Sequence, residues 1–309
     1  MGGAQSMFYQ QTLNADFSCS GIGLHSGKKV NLTVSPAPSG FGIQFVRTDL
    51  RGKNKVKVGP STVSGTSFAT TISGKDFYIS TVEHLMSALV GMGVDNAIVK
   101  IDGEEVPIMD GSAAPFACLI ASVGLRRQSK PRLYMEIVRP IMIREAGKSV
   151  ALYPHDGFRV DCEIDFEHPA INTQRLEIEI TPESYISDIA PARTFGFLSE
   201  ISMLQANGLA AGGGLDNAVV LGDYSVLNKG GLRFPDEFVR HKILDSLGDL
   251  YLAGMPILGR FVAYKSGHGL NNRLARKLMT ESESWRIVER APQRAREFVA
   301  GMPAAAWAR

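Results

Sequence analysis

The chain has 309 residues, of which 44% are hydrophobic and 21% charged, and its formal net charge is +2. That balance is ordinary for a soluble globular protein, with enough length for a sizeable core in two domains. It excludes a dedicated nucleic-acid binder, which would carry a concentrated basic surface. No run of about 18 apolar residues is present, so no spanning helix is expected. No charged leader precedes an apolar stretch, so no secretory signal is expected either. Met1–Ser6 matches a myristoylation pattern of a kind that arises by chance. Cys19, Cys118 and Cys162 are scattered, odd in number and without metal-ligand spacing, which points to a reducing compartment such as the cytoplasm.

The first hundred residues read as strands punctuated by turns. Residues 29–35 alternate cleanly and stop at Pro36-Ala37-Pro38. Phe41 to Val46 and Phe77 to Ile79 are further strand candidates, the latter leading into a helix that carries His84. Asn96 to Ile101 is a strand, and Ser112 can cap a helix running to Val123 with Gly124 as its stop. Residues 125–132 are polar, basic and proline-containing, and read as a linker and domain boundary. Strands are expected near 133–143, 149–153, 158–166 and 175–181, with a helix over 197–207. Gly212-Gly213-Gly214 lacks the companions of a phosphate loop and reads as a close-packed turn.

Two sequence echoes link the halves. Gly93–Val99 resembles Gly214–Val220, and His84–Leu89 resembles His241–Leu247, in inverted order. The expectation is an α+β protein of two similar domains, each with a sheet packed against helices and with the active site between them. The divisions expected are 1–128, 129–285 and a C-terminal helix or loose tail over 286–309, with 281–309 reading as one helix and its tail.

Glu83-His84 and His241-x-x-x-Asp245 carry the chemistry. On a helix His241 and Asp245 project from one face. A histidine from a second helix completes two imidazoles and one carboxylate, which suits catalytic zinc with a fourth position open. His84 falls in a first helical turn, where the dipole keeps its ring neutral. Glu83 has two readings that can coexist. It can take a proton from water at the metal, or close a capping box with Ser80 as N-cap. Winding residues 238–254 at 100° per residue puts Ile243, Leu244, Leu247, Leu250 and Tyr251 on one stripe. The column of His241, Asp245 and Asp249 lies opposite, either as a solvated face or as two ligands and an acceptor behind them. His268, between two glycines, reads as an exposed loop residue and a candidate acid for a leaving nitrogen.

These segments, together with Gly21–Gly27, Pro107–Ser112, Ala192–Phe197, Leu215–Asn217 and Tyr264–His268, resemble the bacterial UDP-3-O-acyl-N-acetylglucosamine deacetylases of lipid A synthesis. The resemblance runs in order from about residue 10 to 280. It implies one catalytic Zn²⁺ per chain on His84, His241 and Asp245, with Glu83 as general base and His268 as general acid oriented by Asp249. It further implies that Thr194 helps hold the carbonyl oxygen and that Phe195 touches substrate beside it. Phe166 would stack on uracil, and Lys242, Lys265 and Lys148 would contact the diphosphate or sugar. Residues 197–214 would hold the acyl chain, although Leu198, Ile201, Leu204, Leu209 and Leu215 also fit a stripe packed on its own sheet. The expected partner is the acylated UDP-sugar alone, with no nucleic acid and no obligate protein, in the cytoplasm or at the inner-membrane surface. Some members carry an inhibitory cysteine ligand where this chain has Thr66–Thr71, which contains none. Two other functions share these features: a zinc hydrolase acting on another acylated amino sugar, and a non-catalytic nucleotide-sugar binding module.

Overall fold

The computed structural model describes residues 8–290. Strict alternation sets the first sheet, since Val30, Leu32 and Val34 of strand Lys29–Pro36 all turn into the core. That strand lies between Phe17–Ile22 and Ala97–Ile101, and Ile43–Arg47 and Lys55–Lys57 complete a five-stranded sheet. Only the pairing of Ile43–Arg47 with Ala97–Ile101 is parallel in this sheet. A parallel pair needs a long crossover, and here it carries a small three-stranded sheet followed by helix α1, Glu83–Gly91. Helix α2, Ala114–Val123, packs on α1 and ends at Gly124, whose φ of 72° suits a residue without Cβ. Its first amide, of Ala114, donates to Ser112 Oγ at 3.2 Å.

The second half repeats this logic. Seven strands form one sheet around Ile257–Tyr264, which pairs in parallel with both Leu133–Ile137 and Phe158–Phe166. The crossover that feeds it carries α3, Leu198–Ala206, and α4, Glu237–Tyr251, while α5, His268–Thr280, follows it. Helices α1 and α4 pack face to face. Their close approach needs Gly248, where a Cβ would lie 2.1 Å from Glu83 O. The echo between His84–Leu89 and His241–Leu247 therefore falls on two equivalent, facing helices. The other echo does not, because Val219–Leu221 pairs with Phe195–Phe197 in a separate two-stranded sheet.

Two expectations are corrected. Residues 125–132 are not a linker: Leu125–Pro131 is a strand antiparallel to Tyr9–Leu13. Both faces of this ribbon are largely polar, so backbone pairing, and Arg127 stacked 3.6 Å over the Tyr9 ring, hold it instead of an apolar stripe. Nor does a helix start at 281: Ser282–Ser284 is one tight turn, and Trp285–Glu289 is a strand paired with Leu133–Ile137. The aromatic and β-branched Trp285, Ile287 and Val288 favour a pleated edge over a helix. The expected tail from 291 onward and the Met1–Ser6 pattern lie outside the described residues. Among the described residues no helix is long and apolar enough to cross a membrane.

Candidate metal centre and active site

Helix α1 begins abruptly at Glu83, since Thr81, two residues before it, adopts a left-handed φ of 58°. Thr81 is held there by donating to Glu105 Oε1 at 3.0 Å. The same carboxylate accepts the amides of His25 and Ser26, each at 2.8 Å, which ties the Gly21–Gly27 segment to the helix start. The capping box expected of Ser80 and Glu83 does not form. The Ser80 amide donates to Glu104 O, and Glu83 Oε2 instead accepts the Thr70 amide at 3.0 Å. With its cap duty gone, Glu83 is a buried carboxylate facing a cavity.

Helices α1 and α4 bring His84, His241 and Asp245 together, with one donor atom from each within 4.8 Å of the others. Asp245 Oδ1 lies 3.3 Å from His241 Nε2 and 3.6 Å from His84 Nε2. Ligands bound at about 2.0–2.1 Å around a tetrahedral zinc stand roughly 3.3 Å apart, so the spacing suits such an ion. Asp245 Oδ1 and His84 Nδ1 are buried with no hydrogen-bond partner, a state a bound cation would relieve at the carboxylate. His241 Nδ1 lies 3.1 Å from the Ala192 carbonyl, to which it donates, leaving Nε2 as the free lone pair. Burial lowers the His241 pKa to about 3, so the ring is neutral. Burial would raise the Asp245 pKa, but His241 and Lys242 hold it well below the usual carboxylate range. The polar column of α4 is no solvated face, because His241, Asp245 and Asp249 are all at most 3% exposed. Two imidazoles and a carboxylate whose Oδ1 has no hydrogen-bond partner form a donor set that fits a divalent metal.

His268 flanks this centre, and its expected place in an exposed loop is corrected. It opens α5, and its side chain is 11% exposed. Gly267 is extended, and Leu270, Leu274, Ala275 and Leu278 then bury one face of a regular helix. His268 Nδ1 donates to Asp249 Oδ2 at 2.9 Å, and Asn271 Nδ2 donates to the same oxygen at 3.0 Å. The other imidazole nitrogen lies 3.9 Å from Glu83 Oε1 and 4.0 Å from Asp245 Oδ2. Burial alone would lower the His268 pKa, but Asp249, with Asp245 and Glu83 beyond it, outweighs burial and raises it to about 9. Burial raises the pKa of Glu83. A buried carboxylate and a charged imidazole thus face each other beside the candidate metal ligands.

A cavity of about 230 Å³ opens over these groups, lined by Thr194, Phe166, Phe195 and Lys242 as well as the histidines and Glu83. Phe166 and Phe195 meet edge to face at 5.7 Å. Lys242 Nζ donates to Asp245 Oδ2 at 2.5 Å. Lys265 and Lys148 do not line the cavity. Lys265 pairs with Asp165 at 2.7 Å, next to Phe166 in sequence, and Lys148 is exposed on the neighbouring strand, where Ser149 is in register with Tyr264. Asp249 does not line the cavity and lies behind His268, which it contacts.

Several contacts that sequence reasoning missed hold this site. Arg193 makes a two-pronged ion pair with Glu237, at 2.8 and 3.0 Å, which fixes Ala192 and Thr194 against the start of α4. Gly111, at φ 88°, could carry no Cβ, since one would lie 2.1 Å from Asn217 O. The Pro107–Ser112 and Leu215–Asn217 segments therefore meet as one support. Gly212 packs equally tightly on Gly23 O, as a close-packed turn should. Helix α3 buries none of its residues, and Leu198, Met203 and Leu215 are each more than half exposed, so the expected stripe packed on a sheet is absent.

A two-helix metal centre flanked by a carboxylate and a charged histidine places the chain among metal-dependent hydrolytic enzymes. The UDP-3-O-acyl N-acetylglycosamine deacetylase (LpxC) family model matches residues 10–280, and the chain belongs to this family. It is 49% identical to the UDP-3-O-acyl-N-acetylglucosamine deacetylase of Myxococcus xanthus (strain DK1622), over 95% of this chain and 92% of the relative. It is 48% identical to the protein of that name from Syntrophus aciditrophicus (strain SB), covering 90% and 89% of the two chains. A Geobacter sp. (strain M21) relative of the same name is 47% identical over 97% of this chain and 99% of its own.

Proposed function

We propose that the chain hydrolyses the acetamide of UDP-3-O-acyl-N-acetylglucosamine, releasing acetate and the free amine, as its relatives' names describe. The observation that carries this reading is the pairing of Glu83 and His268 across the donor set of His84, His241 and Asp245. A zinc ion held there would polarise the acetamide carbonyl and make water acidic enough to lose a proton near neutrality. Glu83 Oε2 is fixed by the Thr70 amide, so Oε1 is the oxygen free to take that proton. Thr194 and cationic His268 stabilise the developing oxyanion. His268 then delivers its proton to the sugar nitrogen as the carbon–nitrogen bond breaks.

The remaining assignments rest on the family resemblance, and of the residues concerned Phe166, Phe195 and Lys242 line the cavity. Phe166 stacks on uracil, Phe195 contacts substrate beside Thr194, and Lys242, Lys265 and Lys148 contact the diphosphate or sugar. Residues around α3 receive the acyl chain. We assign two domains divided between the strands Leu125–Pro131 and Leu133–Ile137, the second running to Glu289, because boundaries at 128/129 and 285/286 would each cut a paired strand. The reaction belongs in the cytoplasm or at the inner membrane face, which suits the free thiols of Cys19, Cys118 and Cys162. Acetate release from the acylated UDP-sugar tests the reading. Release from another acylated amino sugar in its place would favour the different-amide hydrolase.

The pH profile of kcat/KM should be a bell. Glu83 must be ionised, so activity rises with pH on the acid side. His268 must be protonated, so activity falls as pH climbs through about 9. His268→Ala should lower activity sharply and remove the alkaline limb. An unchanged limb in the folded variant would mean that Lys242 or water titrates there.

A further inference from the structure

We propose that Thr70 is a positioning residue that locks both proton-moving groups of the site in one geometry. This inference rests on the functional reading above. All three polar groups of Thr70 are engaged, and its side chain is fully buried. Its amide donates to Glu83 Oε2 at 3.0 Å, and its hydroxyl donates to Asp249 Oδ1 at 2.6 Å. Its carbonyl accepts the Val82 amide at 3.2 Å, at the very start of α1. One residue thus touches the base, the carboxylate behind the acid, and the helix that presents His84.

The two carboxylates it holds come from opposite halves of the chain, on α1 and α4. Each uses one oxygen on Thr70 and keeps the other for chemistry. Glu83 Oε1 faces His268, and Asp249 Oδ2 receives His268 Nδ1. The Thr70 hydroxyl therefore fixes the rotation of the Asp249 carboxylate, and through it the direction of the imidazole. Short hydrogen bonds to charged groups in a buried site are the strong kind. The backbone approach is itself shaped, because Phe68 two residues earlier has φ 63°.

Thr70→Val keeps the shape and the backbone bonds but removes the hydroxyl. The expected result is a fall in kcat of roughly 10- to 100-fold, with KM and metal content little changed and melting temperature lowered by only a few degrees as Asp249 loses one donor. Thr70→Ser restores the hydroxyl without the methyl and should recover most of kcat. A Thr70→Val enzyme within twofold of wild type, or a Thr70→Ser enzyme as impaired as Thr70→Val, overturns the proposal. The His268 ring ¹⁵N resonances of the same proteins provide a second readout without substrate. They should move in Thr70→Val and return in Thr70→Ser, and unmoved resonances overturn it equally. If wild type itself releases no acetate, the functional reading fails while the resonances still judge Thr70.

Discussion

Glu83→Gln is expected to lower turnover by about 10²–10⁴-fold while metal content and melting temperature stay near those of wild type. The substitution is close to isosteric, and its amide oxygen can still accept the Thr70 amide as Glu83 Oε2 does. What it loses is the capacity to take a proton at the oxygen facing His268. A structural role in capping α1 would have predicted near-normal activity, but that role has no hydrogen bond to rest on, since the Ser80 amide is already given to Glu104 O. Turnover and metal content measured on one preparation decide the matter. Normal turnover would remove Glu83 from the mechanism.

The second large effect concerns the acyl chain. Helix α3 carries several apolar residues yet buries none of them, and Leu198, Met203 and Leu215 stand exposed. Such a helix lacks the packing that normally holds one in place. A chain seated against Leu198, Ile201, Leu204, Leu209 and Leu215 would supply it. Each methylene buried contributes at most about 0.8 kcal/mol, and that remote binding helps hold the acetamide at the reacting groups. UDP-N-acetylglucosamine, which lacks the acyl group, should be deacetylated orders of magnitude more slowly. Equal kcat/KM for the two substrates would refute the passage and favour a hydrolase built for a different amide.

Much of the candidate site was legible in the sequence because its candidate ligands lie at helical spacing. His241 and Asp245 share one face of α4, and the likeness of their segment to His84–Leu89 marks two facing helices. Strand Lys29–Pro36 was legible from alternation, and α2 from Ser112 and Gly124. The polar strand Leu125–Pro131 was not, because neither face is apolar enough to alternate. The glycines around His268 suggested a loop, although Leu270, Leu274 and Leu278 spell out a helical face. Thr70 was beyond reach, since its hydroxyl partner Asp249 lies 179 residues away and no local pattern links them. Sequence periodicity reports what an element buries, whereas a side-chain bond across two halves leaves no periodic trace.

The most direct test of the account combines metal analysis with acetate release. Purified chain should hold one tightly bound divalent ion, lose all activity when a chelator strips it, and regain activity on adding one equivalent of zinc. His84→Ala and Asp245→Ala should lose the ion, because each removes one donor of a set whose atoms lie within 4.8 Å of one another. Full metal retention in both variants, or undiminished acetate release from the stripped wild type, would contradict the assignment of His84, His241 and Asp245 as the catalytic metal centre.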